Sequence, residues 1–276
     1  MFNAIDNHAV PAGHATLEVE MVFGKSAVTS AAASSPMKIL TPVARGRSVW
    51  AFTSSFGGGL VAGDQTKLKI IVRPGARCYL STQSSTKIYR NPAARPCSHT
   101  TNAHLDEGSL LVFAPEPMQA FAESHYTQRQ EFHLGPKAGL VLLDWFTAGR
   151  SARGERWAFA RFDGRNDVFI NGERVLVDPV LLQSATVARH MGRFNCFATL
   201  LLIGEPLKTA SNALIHSVAA LPVEKGATQS VSASPVPDGV VVRIAGLEVE
   251  NVRQVLRQYV RFGSELLGDD PWARKW

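Results

Sequence analysis

The sequence predicts a mainly β protein in which short strands stack into a coiled, β-helix-like scaffold, with two α-helices in the C-terminal third. A turn glycine followed by an apolar run occurs three times, at Gly75, Gly108 and Gly139, with spacings of 33 and 31 residues. Each such unit is too short to bury its own apolar face, so stacking the units edge to edge is the natural solution. A ladder of antiparallel strands is the alternative, because it would produce a similar pattern.

The individual strands are inferred from short apolar or alternating runs that end at turn residues. Residues 67–72 are rich in Leu, Ile and Val and stop at a Pro-Gly pair, and residues 87–90 stop at an Asn-Pro pair. Residues 156–162 alternate aromatic side chains with small or charged ones, which also predicts a strand. The Ser- and Ala-rich segment 26–36 is expected to be a loop between N-terminal strands.

The final third of the chain is predicted to combine strands with helices. Residues 197–203 form a continuous apolar run typical of a buried strand, and apolar residues then recur at helical spacing over 207–221. After a second strand at 240–244, residues 249–267 predict an amphipathic helix. Three arginines share one face of that helix at i, i+4 spacing: Arg253, Arg257 and Arg261. We therefore expect residues 1–276 to form a single domain, with a β-rich part (1–195) and a mixed α/β part (196–276).

The composition indicates a cytoplasmic globular protein. A chain of 276 residues with 45% hydrophobic and 19% charged residues can bury a sizeable core. Its longest apolar run, at 198–203, is far shorter than the ~20 residues of a membrane span, and no secretory signal is recognisable at the start. Three widely spaced cysteines predict reduced thiols rather than a disulfide framework or a zinc motif.

The charge and the motifs exclude several function classes. The net charge is +6, but the basic residues are scattered, so we expect no nucleic-acid partner. Binding of an acidic protein partner would be another use of this positive charge. The sequence contains no phosphate-binding Walker loop, no Gly-x-Ser-x-Gly elbow and no His-Glu-x-x-His motif. His99 and His104 would lie on opposite faces of a strand, so they do not predict a metal pair. No tightly bound cofactor is expected.

Four carboxylates occur beside strands that should be buried. They are Asp64, Glu116, Asp144 and Glu155. Carboxylates in such places are costly unless they are paired or hydrated. One interpretation is that Asp144 or Glu155 forms a buried ion pair with Arg150 or Arg156. The other is that the carboxylates line a polar cavity through the fold, and the two interpretations are compatible.

Five segments of the chain form an ordered set of motifs. They are the Gly-Gly-Leu-Val-x-Gly-Asp block at 58–64, the Pro-Gly-Ala turn at 74–76 leading to Thr-Lys-x-Tyr-Arg within 82–90, the Pro-Glu-Pro element at 115–117 followed by Gln128, the block 144–155 and the tail 271–276. In this order they resemble the UreD (also called UreH) family of urease accessory proteins over most of residues 40–276. Many members have His-Pro-Pro before the glycines, whereas this chain has Thr53-Ser54-Ser55-Phe56.

The resemblance implies a non-enzymatic role in the cytoplasmic maturation of urease. Family members are expected to hold the accessory protein UreF, to join the GTPase UreG and to sit against the urease apoprotein, with no membrane partner. The resemblance also implies an internal path along which nickel(II) passes in transit toward urease. On that view Asp64, Glu116, Asp144 and Glu155 line the path, and Lys87 and Arg150 shape it.

Nickel chemistry is consistent with such a path. Nickel(II) accepts imidazole, carboxylate and water ligands, so weak and partly hydrated contacts would let the ion move, whereas a tight cage would trap it. The C-terminal helix and tail are the candidate partner-binding region, because arginine and exposed aromatic residues are enriched at interfaces. The predicted partner contacts are Arg257, Arg261, Trp272 and Trp276.

Two other functions stay open at this point. The first is a β-helical hydrolase or lyase in which Asp64, Asp144 and Glu155 supply paired carboxylates for acid/base chemistry. The second is a pure adaptor that docks partners and makes no contact with metal.

Overall fold

Two stacked β-sheets, a small two-stranded sheet and a layer of helices form the protein, whose computed structural model describes residues 11–43 and 46–273. The strands within these ranges are β1 (His14–Val22), β2 (Lys25–Ala33), β3 (Met37–Leu40), β4 (Val49–Ser55), β5 (Gly59–Leu60), β6 (Gln65–Val72), β7 (Arg77–Thr82), β8 (Lys87–Ile88), β9 (Cys97–Leu105), β10 (Leu110–Phe113), β11 (Met118–Ala120), β12 (His125–Leu134), β13 (Gly139–Thr147), β14 (Gly149–Arg150), β15 (Glu155–Arg156), β16 (Arg161–Ile170), β17 (Glu173–Gln183), β18 (Cys196–Ile203), β19 (Gln229–Val236) and β20 (Gly239–Gly246). The helices are α1 (Ser184–Met191), α2 (Lys208–Ala219), α3 (Val249–Tyr259) and α4 (Gly263–Leu267).

The chain coils through the two sheets. In the seven-stranded sheet β6, β9, β12 and β16 are parallel neighbours, and in the eleven-stranded sheet β4, β7, β10 and β13 are parallel neighbours. Because these strands alternate between the sheets along the sequence, each circuit adds one strand to each sheet. The short strands β5, β8 and β11 pair in parallel beside the main path of the eleven-stranded sheet. This arrangement confirms the predicted mainly β, β-helix-like scaffold.

The strand register explains the glycine repeat and shows that its third member is not Gly139. Gly75 and Gly108 both lie two residues before the paired starts of β7 and β10. Strand β10 pairs with β13 from Gly139 onward, so the true counterpart of the two glycines is Lys137. Backbone φ angles are positive at all three equivalent positions: 69° at Gly75, 64° at Gly108 and 57° at Lys137. A common turn geometry, rather than glycine itself, is therefore repeated in each circuit.

The eleven-stranded sheet is apolar on both faces, because it lies between two cores. In β13 the side chains of Leu140 and Leu142 face the seven-stranded sheet, whereas Val141 and Leu143 face the helices. Because the side chains of a strand alternate between its two faces, a strand that is buried on both faces needs a continuous apolar run. A strand that is exposed on one face needs an apolar residue only at every second position. The same requirement explains the unbroken apolar segment of β18.

Helices α2, α3 and α4 cover the outer face of the eleven-stranded sheet. Helix α2 and the C-terminal helices pack there through the predicted apolar positions, including Val252 and Leu256. The predicted helix 249–267 is divided into α3 and α4, with Gly263 at the start of α4 packed against the ring of Trp272. The additional helix α1 buries only Val187 and Met191, too few apolar residues to predict it. None of the helices in the described ranges is long and apolar enough to cross a membrane.

Two local predictions were wrong. Most of segment 26–36, expected to be a loop, belongs to β2, an edge strand whose small Ala, Ser and Thr side chains need no apolar pattern because they are largely exposed. Segment 156–162 is not one strand. Trp157 has a φ of 55°, a conformation incompatible with an extended strand, so β15 ends at Arg156 and β16 begins at Arg161.

Replacing Gly108 with alanine tests the repeated turn. A Cβ at Gly108 would meet nothing within 4 Å, so the substitution adds strain at positive φ without a clash. We expect the free energy of unfolding to fall by roughly 1–2 kcal/mol, measured by urea denaturation. The matched control is Lys137→Ala. Lys137 already carries a Cβ at positive φ, so the free energy of unfolding of this variant should fall by less than about 0.5 kcal/mol. Equal losses for both variants would contradict the equivalence of the two positions.

Candidate functional site

A cavity of about 100 Å³, lined by both polar and apolar side chains, lies between the two sheets. Strands β6, β9 and β12 line one side of it, and β4, β10 and β13 line the other. Hydroxyl side chains that are partly accessible to solvent surround its outer part: Ser54, Ser55, Ser84, Ser85 and Thr86. Its deeper wall carries the side chains that bear chemistry: His99, Gln128, Gln130 and Asp144.

The deep wall is built from polar residues at inward positions of the parallel strands. In β12 the inward residues Gln128 and Gln130 are 5% and 4% exposed, although the flanking inward residues of the strand are aromatic. His99 of β9 lies opposite Gln128, and Thr101 lies opposite Gln130. Because neighbouring parallel strands are in register, these side chains form short polar rows across the inner face of the seven-stranded sheet.

Asp144 faces these rows from β13 and is held by amides instead of a cation. Gln128 Nε2 donates to both carboxylate oxygens, at 3.2 and 3.1 Å, and Asn166 Nδ2 donates to Oδ2 at 2.9 Å. Burial raises the pKa of Asp144 above its usual range, the two amides oppose the rise, and nearby Asp178 adds to it. Among the residues that the structure describes, no Lys or Arg pairs with Asp144. The carboxylate oxygens retain free acceptor capacity toward the cavity.

Gln128 and Asn166 are themselves held in position. Tyr126 donates its hydroxyl to Gln128 Oε1 at 3.1 Å, and Gln130 Nε2 donates to Asn166 Oδ1 at 2.8 Å. Both amides therefore have their oxygens occupied by donors and their nitrogens directed at Asp144. A network in which each member is satisfied holds its geometry better than isolated polar groups do.

His99 supplies a neutral imidazole to the same wall. Thr66 Oγ1 lies 2.8 Å from His99 Nδ1 and 3.2 Å from the Ser98 carbonyl oxygen. Thr101 Oγ1 lies 3.1 Å from Nε2, so each ring nitrogen has a hydroxyl partner. Burial lowers the pKa of His99 to about 4, so the ring is uncharged at neutral pH.

Further polar side chains continue from the deep wall of the cavity into later strands of both sheets, and together with that wall they form a polar layer. Asp144 lies opposite Thr199, which lies opposite Arg243. Arg243 forms an ion pair with Asp178, a residue that is only 3% exposed and lies opposite Asn166 in the other sheet. In the described part of the chain, Asp178 Oδ2 has no hydrogen-bond partner. Polar side chains thus run from the cavity to a buried carboxylate near the last strands of both sheets.

Glu116, the second predicted carboxylate on the cavity wall, is paired. It forms an ion pair with Arg253 at 2.7 Å, and the two side chains are 13% and 21% exposed. The guanidinium of Arg253 also lies 5.2 Å from the centroid of the Trp145 ring. Because of this pairing, Arg253 does not belong to the exposed arginine face predicted for the last helix. The pairing also fixes α3 beside the cavity.

The other predicted path residues lie away from the cavity lining. Asp64 is half-buried and accepts a hydrogen bond from the Val61 amide at 2.9 Å, which closes its own glycine-rich turn. Lys87 lies half-buried in β8. The ion pair predicted for Glu155 is formed with Arg150. The structure therefore brings Glu116 and Asp144 to one cavity and leaves Asp64 and Glu155 outside it, so no described cavity contains two of the three carboxylates required by the hydrolase alternative.

The predicted partner-binding residues also differ in their surroundings. Arg257 is exposed on α3, and Arg261 is exposed just after that helix ends. Trp272 is partly buried: its ring packs edge-on against that of Tyr79, with centroids 5.6 Å apart, beside the outer core. Trp276 lies outside the described residues.

Several residues of the polar layer were missed from the sequence. They are Gln130, Asn166, Asp178 and Arg243, together with His99 as a cavity residue. A signal was present in β12, where polar residues occupy the buried phase of an alternating strand. Within the described residues, no group of three or more His, Cys, Asp or Glu side chains could hold a metal ion. The possible ligands are instead dispersed along the wall.

His99→Gln should reduce the sensitivity of the protein to acid. An unfolded histidine has its ordinary pKa of 6.5, so between pH 6.5 and about 4 the unfolded chain binds a proton that the folded protein excludes. Stability is therefore lost as the pH falls through this window. The loss attributable to His99 should be about 2 kcal/mol between pH 7.5 and pH 5, and the variant should lack most of it in urea denaturation. His190→Gln, at an exposed position of α1, should keep the wild-type pH dependence; an unchanged slope in His99→Gln would refute this role.

Comparison with known proteins confirms the resemblance found in the sequence. Residues 12–276 match the family described as UreD urease accessory protein. The chain is 43% identical over 268 residues to urease accessory protein UreD of Sorangium cellulosum (strain So ce56), covering 96% of this chain and 85% of that protein. It is 38% identical over 266 residues to urease accessory protein UreD of Anaeromyxobacter sp. (strain Fw109-5), covering 95% and 89%, and 30% identical over 287 residues to urease accessory protein D of Arabidopsis thaliana, covering 92% and 98%. The chain therefore belongs to the UreD family of urease accessory proteins.

Proposed function

We propose that this protein passes nickel(II) through the cavity between its two sheets toward the urease apoprotein, within a cytoplasmic assembly that includes UreF and UreG. Family membership supports the role in urease maturation. The observation that carries the nickel path is Asp144, a carboxylate deep in the protein that faces the cavity and has amides rather than a cation around it.

The electrostatics of Asp144 favour a visiting cation. Burial raises the pKa of this carboxyl, which means that the charged form is penalised by the loss of solvent around it. A divalent ion beside the carboxylate would relieve that penalty and favour loss of the proton. The amides of Gln128 and Asn166 would keep the carboxylate oriented as the ion arrives and leaves.

The arrangement of the other donors favours movement over storage. Hydroxyl groups near the opening can replace part of the hydration shell of an incoming ion, and the neutral imidazole of His99 offers its unprotonated nitrogen as one ligand after the threonine hydroxyl beside that nitrogen moves away. Nickel(II) binds imidazole, carboxylate and water, and its affinity rises with the number of ligands that converge on it. Dispersed donors would hold the ion only briefly.

The polar layer supports a direction for the path. From Asp144 it leads past Asn166 to Asp178, whose second oxygen is unpartnered in the described part of the chain. Asp178 would be the next carboxylate to receive the ion, and Arg243 would have to release it first. Passage would therefore require the Arg243–Asp178 ion pair to open.

Replacing Asp144 with asparagine tests this function. Asparagine keeps the shape of the side chain and removes its charge, so the fold and the binding of UreF and apo-urease should persist. We expect nickel-dependent urease activation to fall about tenfold or more, because the removed charge is the main attraction for the ion in the cavity. Activation is measured as the urease activity of apo-urease reconstituted with UreF, UreG and the variant.

The control is Glu131→Gln, which removes a carboxylate from the outer face of the same strand that supplies Gln128. Activation by this variant should match wild type. If Asp144→Asn folds, binds its partners and activates urease normally, the nickel path fails and the protein acts as an adaptor alone.

A further inference from the structure

Arg253 of α3 lies behind one wall of the cavity between the sheets. A second cavity, of about 30 Å³, lies between α3 and the outer face of the eleven-stranded sheet, and Arg253 lines it. Three residues line both cavities: Pro115, Glu116 and Trp145. These three residues therefore separate the Arg253 side chain from the space through which nickel(II) is proposed to pass.

The guanidinium of Arg253 is held from three directions. It forms a mostly buried ion pair with Glu116 at 2.7 Å. Its Nε donates to Glu250 Oε2 at 3.1 Å, one turn earlier in α3, and its carbon lies 5.2 Å from the centroid of the Trp145 ring. Trp145 is fixed in turn, because its Nε1 donates to the Pro115 carbonyl oxygen at 2.7 Å. The cation therefore keeps a defined position against Glu116.

The two carboxylates in the described lining of the cavity between the sheets have different surroundings. Asp144 is held by amides, whereas Glu116 is paired with a guanidinium. In the described part of the chain, no Lys or Arg lines this cavity itself. The cation that neutralises Glu116 thus comes from behind the wall and takes up none of the space that an ion would use.

The net charge of the lining affects how tightly a divalent ion can bind. In oxygen-ligand sites the affinity for a cation depends on the number of charged ligands. A carboxylate that is paired with a guanidinium contributes little net charge, because the two charges oppose each other. A lining with one uncompensated carboxylate should therefore bind nickel(II) more weakly than a lining with two, and weak binding allows the ion to leave.

We propose that Arg253 sets the affinity of the cavity for nickel(II) by neutralising Glu116, so that the charge of Asp144 alone attracts the ion. This inference rests on the proposed function and adds a residue that tunes it. The alternative is a purely structural ion pair that fixes α3 against the sheet. Loss of either partner would then have the same effect, whereas neutralisation requires opposite effects on nickel binding.

The test measures nickel(II) binding to the full-length protein by calorimetry, with Ni²⁺ alone as the probe. Arg253→Gln removes the cation and leaves the carboxylate, so the Kd should fall about tenfold. Glu116→Gln leaves the guanidinium beside the cavity, where it repels the ion, so the Kd should rise about tenfold. Arg253→Lys keeps the positive charge and should stay within about twofold of wild type. Changes of the same sign in Arg253→Gln and Glu116→Gln would overturn the proposal.

The double variant Glu116→Gln/Arg253→Gln separates neutralisation from direct coordination by Glu116. It removes both charges, so its Kd should return to the wild-type value. If Glu116 were itself a nickel ligand, the double variant would bind as weakly as Glu116→Gln, which would overturn the proposal. Binding as tight as that of Arg253→Gln would also overturn it, because the effect of Arg253 would then not depend on Glu116.

The matched control is Arg189→Gln, which removes the same charge from an exposed position of α1. Its Kd should equal that of wild type. A fall as large as that of Arg253→Gln would overturn the proposal, since net charge alone would then explain both. Thermal denaturation verifies that each variant is folded. If Arg253→Gln does not fold, Glu116→Gln and the double variant still decide, because neutralisation requires weaker binding in the first and wild-type binding in the second.

Failure of the proposed function would give a different result. If Asp144→Asn weakens nickel binding while the variants of Glu116 and Arg253 bind like wild type, only the role of Arg253 is refuted. If neither Asp144→Asn nor any of those variants changes nickel binding, the ion does not bind in the cavity, and the proposed function fails together with this inference.

Discussion

The parallel register between successive circuits of the coil determines where every inward side chain lies. In a strand the side chains alternate between faces, so a shift of one residue in β12 would move Gln128 and Gln130 to the surface and bring Arg129 and Glu131 inside. The same hydrogen-bonded ladders therefore build the apolar core and position the cavity. Core and site are therefore two consequences of one constraint.

The cavity places polar groups where apolar residues would pack better. Burying amides and a carboxylate is costly unless their hydrogen bonds are made, and here the bonds among Tyr126, Gln128, Gln130, Asn166 and Asp144 meet much of that requirement. The charge of Asp144 is left without a counterion in the described structure. Such departures from good packing are typical of functional sites, since a core selected for stability alone would exclude them.

Much of the scaffold could be predicted from the sequence, because strand periodicity and turn residues are local signals. The buried runs of β6, β13 and β18 and the apolar face of α3 follow from such patterns. The site could be predicted only in part. Glu116 and Asp144 stand out as carboxylates among apolar residues, whereas the convergence of His99, Gln130 and Asn166 depends on pairing between strands distant in sequence. Edge strand β2 escaped prediction because exposure removes the alternating pattern.

The hydrogen bonds of Asp144 have a consequence for the order in which the chain can fold. Gln128 precedes Asp144 by 16 residues, on β12, and Asn166 follows it by 22, on β16. A growing chain that ends after β13 would hold the carboxylate with donors from one side only. The cavity wall is complete only when the next circuit has been added, so in a chain that ended after β13 water would have to take the place of Asn166 beside the carboxylate.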